Sequence, residues 1–141
     1  MSTYVLDTSV VIKWFNQKNE LHTKQSRKIF NDLQSGKINI LIPNLLLVEL
    51  LNVLMIGKKT PIAETNLALD KLFELPLNII DVNLSLLKIA AELMQQYNMT
   101  SYDAYFLALA KYEDCKLISD DIKAHGIIGD GSVILLEDYA N

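Results

Sequence analysis

The stretch Tyr4-Val5-Leu6-Asp7-Thr8-Ser9-Val10-Val11-Ile12-Lys13-Trp14-Phe15 passes from a short apolar run into a helical pattern across a single acid. Tyr4 to Leu6 reads as a buried strand, and Asp-Thr-Ser is helix-start chemistry, so a helix is expected from Thr8 to Phe15. Asp7 then sits at a strand-to-helix turn, just past the carboxyl end of a strand. In open α/β sheets that is where ligands bind.

Three more acids stand at comparable places. Glu49 is the one charge within Leu45-Leu46-Leu47-Val48-Glu49-Leu50-Leu51, Asp103 lies in the first turn of a helix ending near Tyr112, and Asp121 follows the strand-like Leu117-Ile118-Ser119. Each has an ordinary explanation. Asp7 caps a helix, Thr100 and Asp103 resemble a capping box, and Asp121 is a turn residue beside another acid, Asp120. Glu49 and Asn52 would share the exposed strip of their helix. Taken together, the four acids form a convergent anionic site if the fold gathers them.

The pattern around them supports such a fold. Glu20 to Gln34 reads as an amphipathic helix with Leu21, Ile29, Phe30 and Leu33 inward and Lys24, Arg27 and Lys28 outward, stopped at Gly36. Ile38 to Ile42 is the second strand. Pro43-Asn44 opens a helix from Leu45 to Ile56, apolar almost all round, that needs cover from the core or from a partner subunit. Thr60-Pro61 supplies a cap and first-turn proline for a helix from Ile62 to Glu74, closed by Pro76. Asn78 to Val82 is a strand, Asn83 caps a helix to Tyr97, Thr100-Ser101 opens another to about Glu113, and Lys116 to Ser119 and Ser132 to Leu136 are the last strands. The alternation predicts an α/β three-layer sandwich: a mostly parallel central sheet of about five strands flanked by helices.

The 141 residues, half of them hydrophobic, suit one domain with a sizeable core. The most apolar stretch, Ile38 to Gly57, is interrupted by Pro43, Asn44, Glu49 and Asn52, which argues against a membrane span. A single cysteine, Cys115, and the lack of a basic-then-apolar leader favour an intracellular, cytoplasmic protein. The formal charge of −4 is unusual for a nucleic-acid binder, yet four clustered carboxylates account for it.

Carboxylates held together repel unless protonated or bound to a cation. An all-oxygen set points to Mg²⁺, with Mn²⁺ as the alternative, rather than zinc; His22 and His125 lack ligand spacing, so surface or core roles are expected for both. Magnesium that keeps open positions suits phosphate substrates.

These residues resemble the PIN-domain ribonucleases, and within them the VapC-type toxins of prokaryotic toxin-antitoxin pairs. The resemblance is carried by Tyr4 to Phe15, by Pro43 followed by the helix with Glu49, by Thr100-Ser101-Tyr102-Asp103-Ala104 and by Leu117-Ile118-Ser119-Asp120-Asp121. It implies Mg²⁺-dependent endonucleolytic cleavage of RNA, with Asp7 and Asp103 as central metal ligands and Glu49 and Asp121 completing the quartet. Thr8, Ser9 and Ser119 would support it, and Asp120 replaces Asp121 if the turn is shifted. It also implies a homodimer and a cognate antitoxin, for which the helices Glu20 to Gln34 and Leu45 to Ile56 offer apolar surface.

Candidate cations for RNA are Lys13, Lys24, Arg27, Lys28, Lys58 and Lys59, and candidate stacking aromatics are Tyr102, Tyr105, Trp14 and Phe15, although a solvated face and the core respectively are their ordinary fates. Three rivals remain. A phosphatase of the haloacid-dehalogenase type needs a second Asp two residues after the first, where this chain has Ser9. A receiver-like phosphoacceptor domain has only Asp81 as a loose candidate. A degenerate PIN domain would bind RNA or protein without cutting, which the four acids argue against.

Overall fold

The computed structural model describes residues 1–140. Its sheet is built from β1 (Ser2–Leu6), β2 (Ile38–Pro43), β3 (Asn78–Ile80), β4 (Lys116–Ser119) and β5 (Val133–Leu135), all parallel, in the order β3-β2-β1-β4-β5. The central strands are buried on both faces, which is why they read as unbroken apolar runs: Val5, Leu6, Ile40, Ile42, Leu117 and Ile118 have no exposed surface. The register pairs Leu6 with Ile118, and the Asp7 amide donates to the Ile118 carbonyl at 3.0 Å. The residues after β1 and β4 therefore leave the sheet side by side.

Among the described residues, seven α-helices connect these strands: α1 (Thr8–Phe15), α2 (Thr23–Gln34), α3 (Leu45–Asn52), α4 (Ile62–Glu74), α5 (Leu84–Tyr97), α6 (Ser101–Tyr112) and α7 (Ile122–His125). With right-handed crossovers, the path from β1 through β2 to β3 puts α1 to α4 on one face of the sheet, and the return to β4 puts α5 and α6 on the other. The reversal falls between β1 and β4, the kind of switch point at which α/β sheets bind ligands. The sandwich expected from the alternation is the one observed, with a wholly parallel sheet. Helix α6 is its inner helix, with every residue from Ala104 to Ala110 buried. Among the described residues no helix is long and apolar enough to cross a membrane.

Several boundaries differ from the sequence reading for local reasons. Helix α2 begins at Thr23 and not at Glu20, because Asn19 (φ 59°) and His22 (φ 57°) take left-handed conformations that a helix cannot include. The helix from Leu45 stops being α-helical at Asn52 and runs on as a π-helical turn, Val53–Gly57, closed by the Lys58 amide on the Val53 carbonyl at 2.8 Å. It is also less covered than its composition suggested: Leu46, Leu50 and Leu54 are fully buried, whereas Val48, Leu51, Met55 and Ile56 face outward. Thr60 does not cap α4; it is buried, and its hydroxyl accepts from the Asn16 side-chain amide at 2.9 Å, while Pro61 occupies the cap position. Asn83 caps α5 as expected, accepting from the Leu86 amide at 3.0 Å. Strand β3 ends at Ile80, two residues early, and the short α7 had no apolar period long enough to announce it.

Candidate metal centre

The four acids reach one place from four elements. Asp7 leaves β1, Glu49 sits on α3, Asp103 in the first turn of α6, and Asp121 on the turn after β4. All four line a single cavity of about 280 Å³, together with Thr8, Ser9 and Glu20.

Their ordinary roles are also real, and they orient the carboxylates. Asp7 is the N-cap of α1, one oxygen accepting from the Ser9 amide at 3.0 Å. Asp121 is the N-cap of α7, accepting from the Ala124 amide at 3.0 Å. Thr100 caps α6 by accepting from the Asp103 amide at 3.3 Å, and its hydroxyl donates to the Asp103 carboxylate at 3.0 Å. Thr8 donates to Glu49 at 3.2 Å. Capping and site formation are therefore compatible: a cap uses one oxygen and leaves the other toward the cavity.

Asp120 and Asp121 part company. Asp120 lines no part of the cavity; its carboxylate is 2.8 Å from the Lys13 ammonium and 2.9 Å from His22 Nδ1. Its amide donates to Ser9 Oγ at 2.9 Å, and the Asp121 amide donates to Ser119 Oγ at 3.1 Å. Ser9 and Ser119 thus hold the turn by its backbone.

Electrostatically the quartet is unbalanced. Among the described residues no lysine, arginine or histidine forms an ion pair with any of the four. Burial raises the Asp7 carboxyl above the ordinary aspartate range, and burial, with the neighbouring charges of Asp7 and Asp103, pushes Glu49 up to about 7. Asp7 and Asp103 each offer an oxygen, and His125 a nitrogen, within 4.8 Å of one another, Glu49 and Asp121 line the same cavity, and among the described residues no ion pair balances the four carboxylates, surroundings that suit a divalent cation. The donor set fits Mg²⁺ or Mn²⁺.

His125 lies beside this site. It is fully buried, and one nitrogen of its ring lies within 4.8 Å of oxygens of Asp7 and Asp103. Both ring nitrogens are already engaged, Nε2 with the Asp103 carbonyl at 3.0 Å and Nδ1 with Ser119 Oγ at 2.7 Å. A carbonyl can only accept, so Nε2 carries the proton and Nδ1 accepts from the serine. The imidazole thus braces the first turn of α6 against the turn that bears Asp121, and its place beside Asp7 and Asp103 is one that the sequence reading, which found no ligand spacing for it, did not foresee.

Other candidates are placed elsewhere. Lys13 is buried between Glu20 at 2.7 Å and Asp120 at 2.8 Å, and Lys58 is 2.5 Å from Glu20, so neither is free for RNA. Lys24, Arg27 and Lys28 line a separate open cleft, with Arg27 over the Phe30 ring and Lys28 paired to Asp32, and Lys59 is exposed. Trp14 and Tyr105 are buried, Trp14 packs against Phe15 and Phe30, and Tyr102 is exposed. Asp81 is exposed and off the cavity, so the receiver reading finds no phosphoacceptor beside the acids, and the phosphatase reading has Ser9, whose Oγ accepts from the Asp120 amide, where its second Asp would stand. The sequence reading missed Glu20 as a wall of the cavity; only its later pairing with Lys13 reveals it.

The PIN domain family model matches residues 4–127. The chain is a PIN-domain protein. No curated protein sequence matches it. Among solved structures, this PIN domain is similar to FitAcB from Neisseria gonorrhoeae (TM-score 0.70, 16% identity, 96% of this chain and 99% of that one). It is also similar to VapBC2 from Rickettsia felis bound to a promoter DNA fragment (TM-score 0.66, 22% identity, 94% and 96%). A third is VapC20 from Mycobacterium tuberculosis, described as a sarcin-ricin loop cleaving toxin (TM-score 0.67, 14% identity, 89% and 96%). At these identities the likeness is one of fold.

Proposed function

We propose that this PIN domain is a Mg²⁺-dependent endoribonuclease and the toxin of a type II toxin-antitoxin pair, with Asp7, Glu49, Asp103 and Asp121 holding the ion. The observation that carries the reading is the convergence of four carboxylates on one cavity with no ion pair to any of them among the described residues. Mn²⁺ would occupy the same oxygens.

When bound, the cation supplies an activated water and neutralises the charge that develops on a phosphodiester during hydrolysis. The chain contributes position. Asp7 and Asp121 are held by their caps, Asp103 by Thr100, and Glu49 by Thr8. Glu49, poised near neutrality, is also the group suited to take a proton from a water in the cavity. No histidine lines this cavity among the described residues, so acid-base cleavage through the ribose hydroxyl finds no imidazole to perform it.

The toxin assignment draws on the similar structures, which include a toxin-antitoxin complex from Klebsiella pneumoniae and a member of the VapBC family of toxin-antitoxin systems from Mycobacterium tuberculosis. It also draws on the apolar face formed by Val48, Leu51, Ile56 and Ile62, which suits a second copy or an antitoxin segment. The cytoplasm, where RNA and antitoxin are met, is the proposed location.

The test is direct. Purified protein is incubated with a structured RNA pool in Mg²⁺, Mn²⁺ or chelator, beside Asp7→Asn and Asp103→Asn. Cutting that needs metal and disappears in both variants supports the reading. Folded wild-type protein that binds neither Mn²⁺ nor RNA refutes it.

A further inference from the structure

A second cavity, of about 230 Å³, shares Asp103 and Asp121 with the acidic one. Its remaining walls differ in kind. Tyr97 and Met99 are half-buried, Ile127 is exposed, Asn98 contributes an amide on a left-handed residue (φ 53°) that ends α5, and Lys123 supplies a positive charge. Among the described residues Lys123 has no ion-pair partner, in contrast to Lys13 and Lys58, which pair with Glu20 on the acidic cavity. Among the described residues it is also the sole lysine or arginine lining either of the two cavities.

We infer that this second cavity is a nucleotide subsite, in which Lys123 takes the phosphate next to the one being cleaved and the Tyr97, Met99 and Ile127 walls receive its base. The inference rests on the nuclease reading and adds a path for the strand. Two anionic partners meet at this junction, a polyphosphate chain and a carboxylate cluster. A cation two residues after Asp121 offsets the repulsion that the strand feels on leaving the acidic cavity. Apolar and aromatic walls suit a base, because every base has a face to stack whatever its identity. The α2 cleft with Lys24, Arg27 and Lys28 is richer in charge but contains none of the four acids, so a phosphate bound there is not adjacent to the reacting one.

The experiment measures equilibrium binding of a short fluorescent single-stranded RNA to the cleavage-silent Asp7→Asn protein in Mg²⁺, as a function of salt. Asp7 does not line the second cavity, so this background leaves it intact. Adding Lys123→Ala should weaken binding several-fold and lower the slope of log affinity against log salt by about 0.7, the value of one single-strand phosphate contact. Lys123→Arg should restore the slope, and Ile127→Ala should weaken binding without changing it. Lys88→Ala, on the exposed side of α5, is the control. All these side chains are exposed, so thermal midpoints should be unchanged. An unaltered slope in Lys123→Ala overturns the subsite, as does a slope that falls only when Lys24, Arg27 and Lys28 are removed. Failure of both the wild-type and the Asp7→Asn protein to bind RNA at any salt, while folded, would instead remove the nuclease reading and the subsite with it.

Discussion

The Lys13 ammonium lies 2.8 Å from the Asp120 carboxylate, and the next residue along the chain, Asp121, faces the acidic cavity. Two adjacent acids thus have opposite surroundings, Asp120 paired inside the protein and Asp121 without an ion pair among the described residues. Lys13 also binds Glu20 at 2.7 Å, and its side chain is only 2% exposed. Removing one partner of a buried pair strands the other. Lys13→Met should therefore destabilise the protein by about 3–5 kcal/mol in urea unfolding. A loss below about 1 kcal/mol, the worth of an exposed pair, would show the cluster to be solvated.

Asn caps a helix about as well as Asp. Asp121→Asn should thus keep the α7 cap and near-normal stability while abolishing metal-dependent cleavage. Asp120→Asn should do the reverse, lowering the unfolding midpoint and sparing cleavage by the protein that remains folded. Equal loss of cleavage in the two, at matched folded fraction, would mean that the turn is set differently from the one described.

Glu49 yields a pH dependence. Its carboxyl is raised from 4.5 to about 7 by burial and by Asp7 and Asp103. The folded chain binds this proton more tightly than the unfolded chain, so the penalty is absent below about 4.5 and complete above about 7. Metal-free protein should lose stability as pH rises through that interval. Asp32, lowered chiefly by its hydrogen bond from Lys28, and Asp130, lowered chiefly by Lys111, act in the opposite sense but below their ordinary value of 3.8, outside this window. Melting at pH 5 and pH 7.5 should show Mn²⁺ raising the midpoint more at pH 7.5, and Glu49→Gln raising it without metal. A midpoint that climbs with pH in metal-free wild type would contradict the assignment.

If water attacks the phosphorus, the P–O3′ bond breaks and the 3′ oxygen leaves with a proton, so the products carry a 5′-phosphate and a 3′-hydroxyl. End-labelling and mass analysis of the RNA fragments should find these ends; a 2′,3′-cyclic phosphate would mean that the ribose hydroxyl was the nucleophile.

The apolar face of α3 and α4 has Val48 at 72%, Ile56 at 72% and Ile62 at 63% exposure. Val48→Glu with Ile56→Glu should leave the monomer folded, since neither side chain is in the core. It should also convert a self-associating species to a monomer in light scattering. If wild type is already monomeric at high concentration, the face belongs to a different partner.

Much of the architecture was readable because it rests on local rules. The buried runs at Tyr4–Leu6 and Leu117–Ile118, the caps at Asp7, Asn83 and Thr100, and the helix breaker Pro76 each announce themselves within a few residues. What was misread also has local causes, chiefly backbone conformations that composition does not reveal: the left-handed Asn19 and His22 that delay α2, and the π-helical turn after Asn52.

By itself the sequence determined the alternating elements, the mostly parallel sheet and the four acids at the ends of two strands and on two helices, since periodicity and capping chemistry act over one or two turns. Only the tertiary structure decided which of Asp120 and Asp121 faces the cavity, that Lys13 and Glu20 belong to one buried ion cluster, and that His125 braces Asp103. Those relationships join residues as far apart as Lys13 and Asp120, or Ser9 and Asp120. The strength of a charge or a hydrogen bond depends on what stands within a few ångströms, and that neighbourhood exists only once the chain has folded.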